Sequence, residues 1–462
     1  MADLEDVAGG ALAAAMREAA SLITSTPRRL VRVISHYDVD GICAGSITTA
    51  ALLRAGVRVH SSFMDNPGGA ELARIAAGSW EAAVVSDMGS GQMAELGPIG
   101  RPMVVLDHHM KQGGERPAHV REVNALDFGL EGAKDVSGAG MAFLFALALG
   151  GEANWDLAPL ALAGAIGDMQ DVGGFRRLNA AILAEAVRRG TVERRQSIAI
   201  SGPTVAEALV RSNDPFVKGV SGRPEGAAEL LSRLGIEGGR PLEGLTQQQV
   251  RALGSVLVTK LVGQGAPARN AQRAVQERLR WTARGVWLDD FSHEVNAAGR
   301  LNKAGVGAGA CLGNPAHVEV CRRAREEYRT DVRTGLVELE RKGTTRMRHV
   351  QWFDSPAGHV SGSLAGLGII YVLPKDAPVL ALFPTTTELK VSARGTDELV
   401  AKGMDLARAM EVAAGAVAGR GGGHPVAAGA TVPLVAREEF LARVDDIVGG
   451  QLAKSEARLP VA

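Results

Sequence analysis

The sequence predicts an α/β protein: a parallel-sheet domain carrying a helical insertion, a long connecting helix, and a smaller C-terminal α/β domain. Three observations carry that expectation. Short β-prone runs alternate with helix-like segments early in the chain, the rhythm of a parallel sheet covered by helices. Residues 315–347 are highly charged and lack internal proline, as suits an exposed helix joining two domains. Strand and helix patterns then resume from Trp352 onward.

Taken in order, residues 1–27 read as an alanine-rich helix ending near Pro27. Residues 31–34 are the first strand run and open on Ser35-His36-Tyr37-Asp38-Val39-Asp40-Gly41. The small apolar residues that follow suit a helix packed on a sheet. Residues 57–63 form a second run. Residues 82–85 lead into Ser86-Asp87, and 103–106 into Asp107-His108-His109. The alanine-rich stretch 156–166 has the length and near lack of charge of a buried helix, and it delivers Gly167-Asp168-Met169-Gln170-Asp171. Together these elements read as one parallel-sheet domain over 28–314. Within it, about 185–285 changes character and reads as a helical insertion, with charges at helical spacing and Gly/Pro breaks. Residues 348–462 form the C-terminal domain, which closes on Gly419-Arg420-Gly421-Gly422-Gly423-His424-Pro425.

Composition sets the broad class. The 462 residues are 46% hydrophobic and 22% charged, as in ordinary globular proteins. Net charge is zero, so a nucleic-acid partner would need a local basic surface. Aromatics at 4% limit base stacking. Cys43, Cys311 and Cys321 form no CxxC pair, which suits a reducing cytoplasm. Asp3, Glu5 and Asp6 give the N-terminus the wrong charge for a signal peptide, and no apolar run is of membrane-spanning length. A cytoplasmic enzyme or assembly protein is expected.

The polar residues at the strand ends narrow this further. Open α/β sheets bind ligands at the carboxyl edge of their strands. His36, Asp38 and Asp40 place one nitrogen and several oxygens there, and so do Asp87, then Asp107 with His108 and His109. Any one aspartate alone reads equally well as a helix cap. Two adjacent histidines are harder to dismiss in a chain with ten. Carboxylates converging on one sheet edge repel each other unless cations neutralise them. A metal site follows, and its nitrogen and oxygen donors suit Mn²⁺ or Mg²⁺.

SHYDVDG, VVSDMG, LDHH and GDMQD resemble, in order and spacing, the four motifs of the DHH phosphoesterase family. GRGGGHPVAAGA resembles its substrate-binding DHHA1 domain, and Asn296–Asn302 (NAAGRLN) a motif of the RecJ-like branch. The resemblance spans about residues 28–435, and His36 in the first motif matches archaeal RecJ-like nucleases. It implies two divalent ions, Mn²⁺ preferred with Mg²⁺ the alternative. One would be held by His36 and Asp38 and the other by Asp40, His108 and Asp168, with Asp87 bridging. His109 would touch the phosphate or tune the site, and Asp107 would orient a histidine. Arg300 would clamp a substrate phosphate. Gly421, Gly422, Gly423 and His424 would bring donors against a phosphate from a glycine-rich turn. Lys390, Ser392 and Arg394 would line the substrate cleft from one face of a strand, the plainer alternative being a solvated edge strand.

The function implied is a two-metal phosphodiesterase: a single-strand-specific exonuclease on DNA or RNA that releases mononucleotides in replication or repair. The alternative is an enzyme of very short oligonucleotides or cyclic dinucleotides. A non-catalytic replication scaffold fits less well, since every ligand position is filled. Expected partners are single-stranded DNA or RNA and replication or repair helicase components, with homo-oligomerisation compatible and no membrane. Two basic stretches, Arg269 to Arg284 and Arg322 to Arg348, would track a strand or else form solvated helix faces.

Overall fold

The computed structural model describes residues 4–25, 30–65, 69–111 and 115–456; the helix end expected near Pro27 lies outside them. The chain forms two compact units, Met1–Arg195 with Glu277–Glu326, and Gln196–Gln276 with Glu327–Ala462.

The first unit is built on a five-stranded parallel sheet of β1 (Leu30–His36), β2 (Arg58–Met64), β3 (Ala82–Ser86), β4 (Met103–Asp107) and β5 (Val120–Asn124), in the order β2-β1-β3-β4-β5. Side chains alternate between its two faces, as the pleat requires. Val31, Val33, Val84, Val104 and Leu106 meet the helices Val39–Arg54, Gly138–Gly150 and Ala158–Gly167 on one side. Ile34, Ala83, Val85, Met103 and Val105 meet Leu72, Ile75, Trp80 and Leu96 on the other. With both faces covered, β3 and β4 are buried throughout, which is why they read as unbroken apolar runs. The same covering leaves the carboxyl edge as the place where polar residues emerge. β5, whose sequence is VREVN, was not among the expected strands.

The second unit contains a six-stranded sheet of β9 (Thr345–Arg346), β10 (Gln351–Asp354), β11 (Val379–Pro384), β12 (Glu388–Arg394), β13 (Arg420–Gly423) and β14 (Ala427–Pro433). Its order is β13-β14-β12-β11-β10-β9, with β10 and β11 its parallel pair. Leu380, Leu389, Val391, Ala393 and Val432 pack on Met410, Phe440 and Val444 to form its core.

Two expectations need correction. The insertion at 185–285 was expected within the parallel-sheet domain, but residues 196–276 cluster with the C-terminal unit. Val205, Leu230, Leu253 and Leu257 share one buried core with Val332, Leu336, Val360 and Tyr371. The insertion is also bounded by strands, β6 (Val192–Ile198) and β7 (Val275–Trp281), which form a sheet with β8 (Val286–Trp287). The basic stretch of Arg269 to Arg284 is not one surface. Arg269 lies on the helix Ala268–Gln272 and pairs with Asp397. Arg278, on β7, is buried and held by Asp289 and Asp290. Arg284 lies over the Trp281 ring and donates to the carbonyls of Ala310 and Cys311. The helix Pro315–Lys342 exists as expected, and its charges are matched both within it and outside it: Arg323 meets Glu319 and Lys342 meets Glu338, while Arg325 meets Asp290 and Glu340 meets Arg223.

Candidate metal centre

Each strand of the first unit hands over its polar residues where the sheet stops. His36 is the last residue of β1, and Asp38 caps the helix Val39–Arg54 by accepting from the Gly41 N–H at 3.0 Å. Asp40, in the first turn, is fully buried and accepts from the Gly138 and Ala139 N–H groups at 2.6 and 3.0 Å. It therefore sits at the N-terminus of the helix Gly138–Gly150, where a negative charge is favoured. Asp87 follows β3 with φ 59°, a left-handed conformation uncommon outside glycine. Asp107 ends β4, and Asp168 caps the end of the helix Ala158–Gly167.

Two glycines make room for these carboxylates. A Cβ at Gly164 would stand 2.3 Å from Asp40 Oδ1, and one at Gly138 would stand 2.5 Å from Asp87 Oδ1.

The side chains converge as three groups, one of them Asp87 with His108 and His109. His36, Asp38 and Asp87 can bring one donor atom each within 4.8 Å of one another, and so can Asp40, His108 and Asp168. Asp87 faces both: its Oδ2 is 3.7 Å from His36 Nδ1 and its Oδ1 is 3.1 Å from His108 Nε2. His108 Nδ1 lies 2.7 Å from the Gly132 carbonyl and so donates to it, which leaves the Nε2 lone pair aimed at the carboxylates. Asp40 Oδ2 and Asp168 Oδ2 each lie 3.6 Å from that nitrogen. An outward donor bond that fixes an inward lone pair is the usual arrangement of a metal-ligating histidine. Gln170 donates to the same Gly132 carbonyl and is itself held by Asn179.

Electrostatics point the same way. Burial, together with the charges of Asp40, Asp38, Asp168 and Asp107, pushes the Asp87 carboxyl well above its usual range. Burial, then Asp40, raises Asp168 to about 8. Burial opposes charge on His108, but Asp40 and Asp168 outweigh it and raise the imidazole. Without a cation these carboxyls hold their protons, and a divalent ion is what this donor set fits.

Asp107 belongs to a different arrangement. It accepts from the N–H groups of Ser90, His108 and His109 and from His109 Nδ1 at 2.9 Å. Against the cost of burial, the His109 and Ser90 bonds hold it down at about 2. The His109 side chain is 57% exposed and tethered by that carboxylate. Ser90, Asn124, Gly132 and Gln170 support the centre and were not singled out from sequence. Asn124 donates to Ser90 and to the His109 carbonyl, which ties β5 to the DHH loop. Only GDMQD carried a visible signal for any of them.

Arg300 ends the helix Leu288–Arg300 and is exposed. Its neighbour Gly299 lies against the loop of the first motif, where a Cβ would stand 2.2 Å from the Tyr37 carbonyl.

In the second unit, Lys390, Ser392 and Arg394 share one face of β12, while Leu389, Val391 and Ala393 face the core. β12 lies between β11 and β14, so the edge-strand alternative does not hold. Gly421, Gly422 and Gly423 form β13 at the sheet edge rather than a turn, and the reversal follows at His424, which bonds reciprocally with Ala427. Arg394 is half-buried, has no carboxylate partner among the described residues, and is lowered by burial. Its guanidinium lies against the first turn of the helix Ser361–Tyr371, 3.1 Å from where a Gly362 Cβ would be. A desolvated cation beside a helix N-terminus is an anion-seeking arrangement.

Comparison with known proteins agrees with these two units. Residues 30–165 match the DHH family N-terminal domain, and residues 371–450 match the DHHA1 domain. An uncharacterized protein of Methanocaldococcus jannaschii is 28% identical over 431 residues, covering 92% of this chain and 94% of its own. The fold is shared with exonuclease RecJ bound to manganese, at TM-score 0.56 and 20% identity over 96% of this chain and 95% of that one. It is also shared with CDC45 from Entamoeba histolytica, at TM-score 0.65 and 8% identity over 95% and 99%. Among the described residues no helix is long and apolar enough to cross a membrane. With the DHH motifs on one sheet edge and the DHHA1 match in the second unit, the chain carries a DHH family N-terminal domain followed by a DHHA1 domain.

Proposed function

We propose that this chain is a two-metal phosphodiesterase that degrades single-stranded DNA or RNA from an end, in replication or repair. The observation that carries the reading is Asp87, whose two oxygens face two separate donor sets, each completed by a histidine and further carboxylates. Divalent ions bound there, with Mn²⁺ preferred, supply Lewis-acid activation of water and of the phosphoryl group.

The chain's own residues do the rest. The helix N-terminus at Gly138 fixes Asp40, and Gly132 fixes the His108 tautomer, so the donors are arranged before substrate arrives. Asp107 raises His109 through their hydrogen bond, which keeps the exposed imidazole a better donor toward a phosphate oxygen. Arg300 offers a planar fork to the same group. Arg394 and Ser392, with the N-terminus of the helix Ser361–Tyr371, supply a second anion subsite, and Lys390 and the Gly421–His424 segment extend it. The filled ligand positions argue against a purely structural role, although CDC45 shares the fold.

The test is hydrolysis of end-labelled DNA and RNA strands alongside dinucleotides and cyclic dinucleotides. Mn²⁺-dependent release of mononucleotides from strands is expected, reduced about 10³-fold or more in Asp87→Asn, equivalent to roughly 4 kcal/mol. Full activity of that variant would sink the two-metal reading, and preference for the short substrates would replace the exonuclease.

A further inference from the structure

The sheet face opposite the helix Val39–Arg54 carries a cationic feature that the metal centre does not use. Arg32 lies mid-strand on β1, only 7% exposed, beside the apolar Ile34, Ala83 and Val85 of the same face. Its Nη2 donates to Ser62 Oγ at 2.5 Å, while its buried Nε has no partner. No carboxylate pairs with it among the described residues. Leaving a buried guanidinium donor unmatched is costly, so the position calls for an acceptor that arrives from outside.

The surroundings favour an anion. His60 is paired in register with Arg32, and Ser62 with Ile34, on the exposed edge strand β2, so both project to the same side. Arg74, on the helix Gly69–Ala76, adds a second guanidinium. It is exposed, and its nearest acid is Glu71 at 3.6 Å on its own helix. Burial lowers the Arg32 guanidinium and Arg74 lowers it further; burial, then Arg32 and Arg74, lowers the His60 imidazole. Two guanidiniums and an imidazole share this face, with the exposed Glu71 carboxylate 3.6 Å from Arg74.

We infer that Arg32, His60, Ser62 and Arg74 form a phosphate-binding subsite on the outer face of β1 and β2. Its occupant is a backbone phosphate of the same strand that reaches the metal centre. Arg32 and His36 lie on one face of β1 four residues apart, roughly 13 Å at the rise of a strand. One phosphate cannot reach both, so this subsite takes a phosphate other than the scissile one. The occupant rests on the nuclease reading above; the anion site itself does not.

Two measurements on the full-length chain separate these. In the first, inorganic phosphate is titrated without added metal while the His60 ring resonances are followed by NMR. A saturable shift that raises the His60 pKa is expected, attenuated in Arg74→Ala and Ser62→Ala and lost in Arg32→Gln. The first two are mild surface changes, so the test stands even where Arg32→Gln fails to fold. No response in the parent overturns the site. In the second, binding of a labelled single strand is measured against salt. Arg74→Ala should weaken binding several-fold and lower the slope of log K against log salt by ~0.7, one phosphate contact. A phosphate response with unchanged strand affinity and slope overturns the strand as occupant. A parent that answers phosphate but binds no strand overturns that occupant together with the nuclease reading.

Discussion

The two units solve opposite electrostatic problems. In the first, Asp38, Asp40, Asp87 and Asp168 are crowded at one sheet edge, with burial and mutual repulsion raising Asp87 and Asp168. In the second, Arg394 is drawn into the protein beside a helix N-terminus with no acid to meet it among the described residues. A surplus of buried negative charge specifies cations, and a desolvated positive charge specifies an anion. The difference teaches that neither region is built for stability alone, because each leaves a charge deficit that only a ligand removes.

That contrast can be broken most severely at the packing of the first unit. Gly164→Ala would drive a methyl group to 2.3 Å from Asp40 Oδ1, and displacing one ligand by such an amount should lower kcat about 10²-fold. Steady-state kinetics at saturating Mn²⁺ check this; unchanged kcat would mean that Asp40 is not held where its ligand role requires. A smaller effect is expected in the second unit. Arg394→Ala removes a charge-assisted contact with substrate and should raise KM by about tenfold while kcat changes less. A fall in kcat alone would contradict an anion-binding role.

The smallest effect sharpens the same contrast through pH. Asp168 has a folded pKa of about 8, above the ordinary value of ~3.9 for the unfolded chain. The folded state therefore binds the extra proton, so the Asp168 contribution to metal-free stability is fully present below pH ~4 and is lost as pH rises through about 8. The metal-free Tm should fall across that window, and Asp168→Asn should flatten the fall. An equally steep decline in the variant would remove Asp168 as its source.

How far the sequence reveals these regions follows from the range of the forces involved. The ligand loops were legible because a buried strand and its polar terminus are contiguous: VVSD and VVLDHH each carry an apolar run straight into its donors. The position of Asp87 between His36 and His108 is visible only in the folded chain, since spacing says nothing about which oxygen faces which histidine. Gly132 was not visible, because its contribution is a backbone carbonyl. β6 and β7 were missed for another reason. VERRQSI alternates half-buried Glu193, Arg195 and Ser197 with exposed Arg194 and Gln196 between two buried ends, and in a charged window that period of two was read as helical. The membership of residues 196–276 was illegible because Leu253 and Leu257 meet Leu336 and Tyr371 only through long-range packing. Charge clusters mislead in the same way. Arg278 counted as a basic surface residue until Asp289 and Asp290 met it in the folded chain.

The central claim is that Asp87 joins two cation sites into one reactive centre, and Mn²⁺ binding read by electron paramagnetic resonance tests it most directly. The account predicts two Mn²⁺ per chain whose spins couple magnetically, with the coupling lost and affinity reduced in Asp87→Asn. A single isolated Mn²⁺ in the parent protein, or a coupled pair that persists unchanged in Asp87→Asn, would contradict it.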